Sequence, residues 1–278
     1  QGFAPKKGAL WAKLGYVYST ANSVYAGLDE VDFDAQNKVG DKVPFYNVEG
    51  DLVGGDLAIQ EVALTAVYSP LSKLSLFLQA PLMKYVGYEN TAKNFSSSAV
   101  GLGDIQVGSA YQWSPSDWKV FGSSVQLVTK IPMSKNYPYT NNAILGDGQF
   151  DIGFASANTL VAGPIYLNGS LAFTYRLPYE DTSRTLDIGN TLRASLSAGG
   201  AVLDNVWVTL GYQGSFAEAW VLTQGQGEAR DLIQPSMHEI LVSAYISLLS
   251  IGKHKLALDA WFRAPLIGQD LPVLYAGG

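Results

Sequence analysis

The chain has no cysteine, two histidines and few charges; only 15% of its 278 residues are Asp, Glu, Lys or Arg. The missing cysteine removes disulfide frameworks, thiolate metal sites and cysteine nucleophiles. With His238 and His254 as the sole imidazoles, a histidine-built metal centre is not expected. Long apolar runs are missing too. No stretch approaches the ~18 consecutive apolar residues of a membrane helix. The most apolar stretch, 240–251, is short and alternates with serines. Positive charge is scarce: the formal net charge of −6 argues against a nucleic-acid partner, which would favour a basic patch. The negative excess is local. Between Ala21 and Asp56 stand eight acids, among them Asp29, Glu30, Asp32 and Asp34, against Lys38 and Lys42, so the rest of the chain is close to neutral.

What the chain does have is glycine (29), tyrosine (16), phenylalanine (11) and tryptophan (6), arranged with a period of two. In Val100–Trp113, VGLGDIQVGSAYQW, residues Ile105, Val107, Tyr111 and Trp113 share one face with Ser109. Leu102, Asp104, Gln106, Gly108, Ala110 and Gln112 share the other. Side chains of a strand alternate between faces, so one face is mainly apolar and the other polar or small. The same grammar predicts strands over Ala9–Thr20, Leu57–Ser69, Lys73–Tyr85, Val100–Trp113, Trp118–Ile131, Gln149–Ala162, Ile165–Leu177, Asn190–Leu203, Val206–Ala217, Met237–Leu249 and Lys255–Leu266. A short twelfth strand is expected around Leu271–Tyr275, in the segment 267–278 that would close the sheet.

The gaps between these strands alternate strictly between long and short, five of each. That is the pattern of an up-and-down barrel with short periplasmic turns and long external loops. Most charges fall in the gaps rather than on strands, which a soluble exterior does not favour. The expected fold is therefore all-β: one antiparallel transmembrane β-barrel of about 12 strands spanning 1–278. The acidic stretch 21–56 would be an external loop. Membrane crossing by strands requires closure, because lipid cannot satisfy a free edge. The start at Gln1, without methionine, fits a mature protein whose signal peptide has been removed, and trimming at that end would look the same. The expected location is the outer membrane of a Gram-negative-type bacterium.

Three segments carry a resemblance. They are Gly101-Leu102-Gly103-Asp104 followed by Gly108 and Tyr111; Lys130-Ile131-Pro132, continued here by Met133-Ser134; and Gly146-Asp147-Gly148-Gln149-Phe150-Asp151-Ile152-Gly153. Together they resemble the outer-membrane barrels of the "MetA-pathway of phenol degradation" family. The resemblance covers about 100–177 and implies a transport barrel associated with aromatic degradation.

Charges on the non-apolar face cluster near the external strand ends: Glu61, Asp104, Lys130, Asp151, Arg176, Arg193, Glu239 and Arg263. Neighbouring strands would bring Asp104 near Lys130, Lys130 and Arg176 near Asp151, and Glu239 near Arg263. Opposite charges facing across strands stabilise modestly, and a charge in a narrow lumen needs such a partner. The belt has two readings: a structural plug of ion pairs, or a constriction that selects solutes. Phe77, Tyr166, Trp207 and Trp261 also point inward by parity and would offer contacts to an aromatic solute.

Other chemistry finds little support. Ser236, His238 and Glu239 are too close along one strand to converge as a catalytic set, because neighbours point to opposite faces. Asp32-Phe33-Asp34 lacks the ligand spacing and closing glutamate of a calcium loop. No helix follows Gly101-Leu102-Gly103, so it is no phosphate loop. No catalytic residue, metal or cofactor is expected. The expected function is a passive channel for small, apolar or aromatic solutes, with outer-membrane lipid around it. The alternative is an anchoring barrel with a plugged lumen, docking a protein partner through external loops or periplasmic turns.

Overall fold

The computed structural model describes residues 7–21, 23–26, 29–32, 56–90, 95–114, 120–133, 145–146, 148–181, 184–187, 189–218, 221–224, 230–231, 236–251, 254–269 and 275–277. Every element among them is a strand. In chain order these are β1 (Leu10–Ala21), β2 (Ser23–Ala26), β3 (Asp29–Asp32), β4 (Asp56–Leu71), β5 (Leu74–Asn90), β6 (Phe95–Gly101) and β7 (Ile105–Gln112). Then follow β8 (Phe121–Ile131), β9 (Asp151–Ala162), β10 (Ile165–Arg176), β11 (Tyr179–Asp181), β12 (Arg184–Asp187), β13 (Thr191–Leu203) and β14 (Val206–Ala217). The last are β15 (Val221–Gln224), β16 (Arg230–Asp231), β17 (Ser236–Ile251), β18 (His254–Gln269) and β19 (Tyr275–Gly277).

The main sheet runs β4-β1-β19-β18-β17-β14-β13-β10-β9-β8-β7-β5-β6, and β4 also pairs with β5, which closes the ring. All its pairings are antiparallel. β6 and β7 pair with the upper and lower parts of the same strand, β5, and together take one place in the ring. The result is an up-and-down barrel of twelve positions. Short connections lie at one end: Ala162 pairs with Ile165 across Gly163-Pro164, with Gly163 at φ 63°, a left-handed conformation that glycine adopts without strain. Leu71 likewise pairs with Leu74, and Ile251 with His254. The long connections share the other end.

The alternation read from sequence sets the two faces. Leu10, Leu14 and Leu196 lie outside and are 72%, 69% and 64% exposed. Buried hydrophobics are few and mostly small, among them Ala21, Ala63 and Ala157. A soluble barrel would show the reverse. A continuous apolar exterior of this extent needs lipid around it. Strands of about 12 residues at roughly 3.4 Å per residue are long enough to cross a tilted hydrocarbon layer.

Three sequence expectations are corrected. The continuous strand Val100–Trp113 is broken at 102–104, between β6 and β7. The cause is Pro81 of β5, which has no N–H for the ladder. Gly103 N instead donates to the Pro81 carbonyl at 3.2 Å, and a Cβ on Gly103 would run into the Pro81 ring. The register of β4 against β5 also shifts here, between Val62 and Ala63. Second, the expected long gap 86–99 is largely strand: β5 continues to Asn90 and β6 starts at Phe95. Third, the connections 178–189 and 218–235 contain a four-stranded sheet, β11-β12-β15-β16. Asn190 and Glu218 tie its base to the barrel: Asn190 N and Nδ2 both donate to Glu218 Oε2, at 3.0 and 2.7 Å. Within the acidic segment, β2 and β3 form a hairpin, and 33–55 lie outside the described residues. The expected twelfth strand is β19, which starts four residues and ends two residues later than expected; it pairs with Tyr18–Thr20 of β1 and with Phe262 and Arg263 of β18.

Candidate functional site: the inner wall near the long-loop end

Strand register decides which charges meet. Asp151 opens β9 and is the direct partner of Lys130 in β8 and of Arg176 in β10. Lys130 Nζ lies 2.9 Å from Asp151 Oδ2, and Arg176 Nε lies 3.8 Å from the same oxygen. These groups are largely buried: the Lys130 and Asp151 side chains are 14% and 9% exposed. One carboxylate thus serves two cations.

Glu239 and Arg263 are diagonal neighbours across β17 and β18: Glu239 is opposite Pro265 and Arg263 opposite Leu241. Arg263 Nη1 lies 3.8 Å from Glu239 Oε2, which also accepts a hydrogen bond from Gln213 Nε2 at 3.1 Å. The Arg263 guanidinium sits 5.0 Å from the centre of the Trp261 ring, a cation–π contact. Arg193 of β13 projects from the same wall, is exposed, and feels the charges of Arg263, Glu239 and Arg176. Glu61 of β4 is the register partner of Lys84 in β5.

Asp104 departs from its expected setting. It lies in the break between β6 and β7, where its Oδ1 accepts from the Met133 backbone at 3.0 Å. Gly146 packs so closely on this carboxylate that a Cβ there would overlap both oxygens. Asp104 therefore holds both ends of the β8–β9 connection.

That connection brings in two residues the sequence reading missed, Lys84 and Leu145. Leu145 is 7% exposed and packs with Val86, Leu57, Ile59 and Ala99. By parity these side chains of β4, β5 and β6 face inward, so the loop folds into the lumen. Lys84 Nζ donates to the Leu145 carbonyl at 2.7 Å. Gly101 lies beneath Leu145 with no room for a Cβ. The signal was in the sequence as Gly101-Leu102-Gly103-Asp104 and Gly146-Asp147-Gly148, two glycine-rich motifs whose described residues meet in space.

The inward aromatics are seated rather than free. Phe77 covers Gly108 on the neighbouring strand, and Tyr166 covers Gly199. The Tyr166 hydroxyl is hydrogen-bonded to Thr209 Oγ1, and its ring lies 6.1 Å from that of Trp207. Toward the short-turn end the inner wall carries one ion pair, Lys13 Nζ to Asp259 Oδ2 at 2.6 Å, which the sequence reading missed, among uncharged pairs: Ser69–Ser75 at 2.8 Å, Gln112–Ser114 at 3.2 Å and Thr159–Asn168 at 2.8 Å. His238 is on the outer face, where it is hydrogen-bonded to the Tyr212 hydroxyl and packed edge-on to Phe216. Its orientation away from Glu239 follows from strand parity. No group of three or more potential metal ligands occurs among the described residues.

The chain matches the family described as "MetA-pathway of phenol degradation" over residues 34–231. Among solved structures it is similar to the COG4313 outer membrane channel from Pseudomonas putida F1, with TM-score 0.72 and 16% identity over 99% of this chain and 95% of that one. A second similarity, to Salmonella typhi OmpF in complex with daunomycin, has TM-score 0.29 and 12% identity over 97% and 98% of the two chains. None of the curated proteins matches the chain.

Proposed function

This chain belongs to the "MetA-pathway of phenol degradation" family, and on that premise we propose that it is an outer-membrane channel through which small apolar or aromatic solutes pass passively. The supporting observation is an inner wall that solvent reaches: Arg263 is 37% and Arg176 23% exposed although both point into the ring. A plug of ion pairs would bury them. Water and small solutes can therefore contact Arg176, Arg193 and Arg263 of the belt, whereas Lys130, Asp151 and Glu239 are largely buried. Charged rings of this kind select permeants in other pores. Glu61 and Asp104 belong to the opposite, loop-bearing side of the same constriction. Phe77, Tyr166, Trp207 and Trp261 supply flat apolar surface to a passing ring. The surrounding partner in this reading is outer-membrane lipid.

One observation favours the rival reading of an anchoring barrel with a closed lumen: Leu145 and its loop occupy part of the interior. Planar-bilayer recordings separate the two. Arg176→Gln and Arg263→Gln are expected to change conductance or ion selectivity. Near-zero conductance in the wild type and in both variants would end the channel reading. Liposome swelling with small aromatics then checks the solute class.

A further inference from the structure

Most charges in the belt are accounted for by a partner. Asp151 serves Lys130 and Arg176, and Glu239 serves Arg263 and Gln213. Arg193 differs. Among the described residues its guanidinium makes no hydrogen bond or ion pair, and its side chain is exposed inside the ring. Two of the three charges it feels, Arg263 and Arg176, have its own sign. A guanidinium with no carboxylate bound to it, on a wall that also carries Arg176 and Arg263, is a site where an incoming anion gains and an incoming cation loses. A carboxylate can take two parallel N–H bonds from such a group.

The ring order adds a second feature. β13, which carries Arg193, lies six places from β4 in either direction around the twelve-membered ring. The inward face of β4 carries Leu57 and Ile59, packed with Val86 and Leu145. The lumen thus opposes the arginine-bearing wall to one with an apolar patch, above Glu61 and its register partner Lys84. A solute with an anionic head and a flat or aliphatic body satisfies both walls together, as small-molecule sites generally combine apolar lining with a few fixed polar groups.

We propose that Arg193, with Arg176 on the adjacent strand and Arg263 three places along the same wall, is an anion-binding subsite of the lumen that takes small organic carboxylates with an apolar body, the arene carboxylates being the best fit. This rests on the channel reading for its role in passage, but binding itself does not require conduction. Arg193 is then the residue that sets selectivity by charge, while the paired cations hold the wall.

Two measurements test it, using benzoate as the anionic probe and benzyl alcohol as its neutral counterpart. In bilayers, the wild type is expected to prefer chloride over potassium. Arg193→Gln should lower that preference about threefold or more, and Arg193→Lys should largely keep it. In detergent solution, benzoate should change the tryptophan emission of the wild-type barrel saturably, through Trp261, which lies against Arg263. Arg193→Gln should abolish that change, and benzyl alcohol should not reproduce it. Heat-modifiable migration on gels shows that each variant is folded. A conducting barrel with no saturable benzoate response, and with selectivity indifferent to Arg193→Gln, overturns the subsite and leaves the channel standing. A barrel that never conducts but binds benzoate only with Arg193 present overturns the channel and supports the subsite.

Discussion

Asp151 shows how much one side chain can carry at the residue scale. Its carboxylate neutralises Lys130 and Arg176 in a setting with little access to water. Removing one member of a buried charge set leaves the others uncompensated, which costs more than the set itself contributes. Asp151→Asn is therefore expected to lower stability by about 3 kcal/mol, read as the urea midpoint for unfolding from lipid vesicles. An unchanged midpoint would mean that water already screens the two cations. Glycine supplies the second residue-scale case. Tyr166 lies over Gly199 so closely that a methyl group would strike both its ring and the Val208 carbonyl. Gly199→Ala should cost about 1–3 kcal/mol by forcing the ring off its seat. Gly169→Ala, whose Cβ would meet nothing nearer than 4.0 Å, should be close to neutral in the same assay. Equal effects at both positions would show that the aromatic cover is not what Gly199 serves. The identity of these inward residues was legible from period-two alternation. Which glycine receives which ring was not, because that depends on the pairing of separate strands.

The decisive element is the interrupted strand formed by β6 and β7. Proline in β5 removes a ladder donor, the facing strand lets go for three residues, and the gap receives the β8–β9 connection. Lys84 holds the incoming loop by its Leu145 carbonyl. Lys84→Met deletes that hydrogen bond and keeps a long apolar stem in place. The loop should then leave its seat more often, and single-channel conductance should rise about twofold with added open-state noise. Conductance identical to wild type would place the narrowest point elsewhere. Sequence reading took Val100–Trp113 as one strand because its alternation continues through 102–104. Periodicity reports which face a residue would occupy, and it is silent on whether the neighbouring strand can complete the ladder. Pro81 stands in the neighbouring strand, but which residue Pro81 faces is set only by the register.

At the scale of the whole molecule, the exterior is the apolar face and the interior the polar one, opposite to a soluble barrel. Leu196 and Ser197 are sequence neighbours on opposite sides of the wall; Leu196 is 64% exposed on the outside. Leu196→Arg should cost about 2–4 kcal/mol if it sits near the bilayer midplane. Ser197→Arg, pointing into the lumen, should fold with a much smaller loss. Refolding into vesicles, followed by unheated gel migration, compares the two. Similar defects in both would contradict the assignment of faces. Closure is the other global property: β4 meets β5, and β19 joins β18 to β1. Pairing around a ring is what lets strands remain in lipid, where an unsatisfied backbone group costs several kcal/mol; at the β1–β18 seam the described pairing runs through Tyr18–Thr20, β19, and Phe262 and Arg263.

The sequence alone determined the class of fold, the number of crossings and, along the regular stretches, the face each residue presents. Those follow from local chemistry: side-chain alternation, turn residues and the alternating lengths of the gaps. Only the tertiary structure decided the break at 102–104, the inward fold at Leu145, the seating of Phe77 and Tyr166 on glycines, and the position of Arg193 without a carboxylate of its own. Each of these is set by residues far apart in the chain and brought together by register, bulges and ring closure. The local pattern carries no record of them.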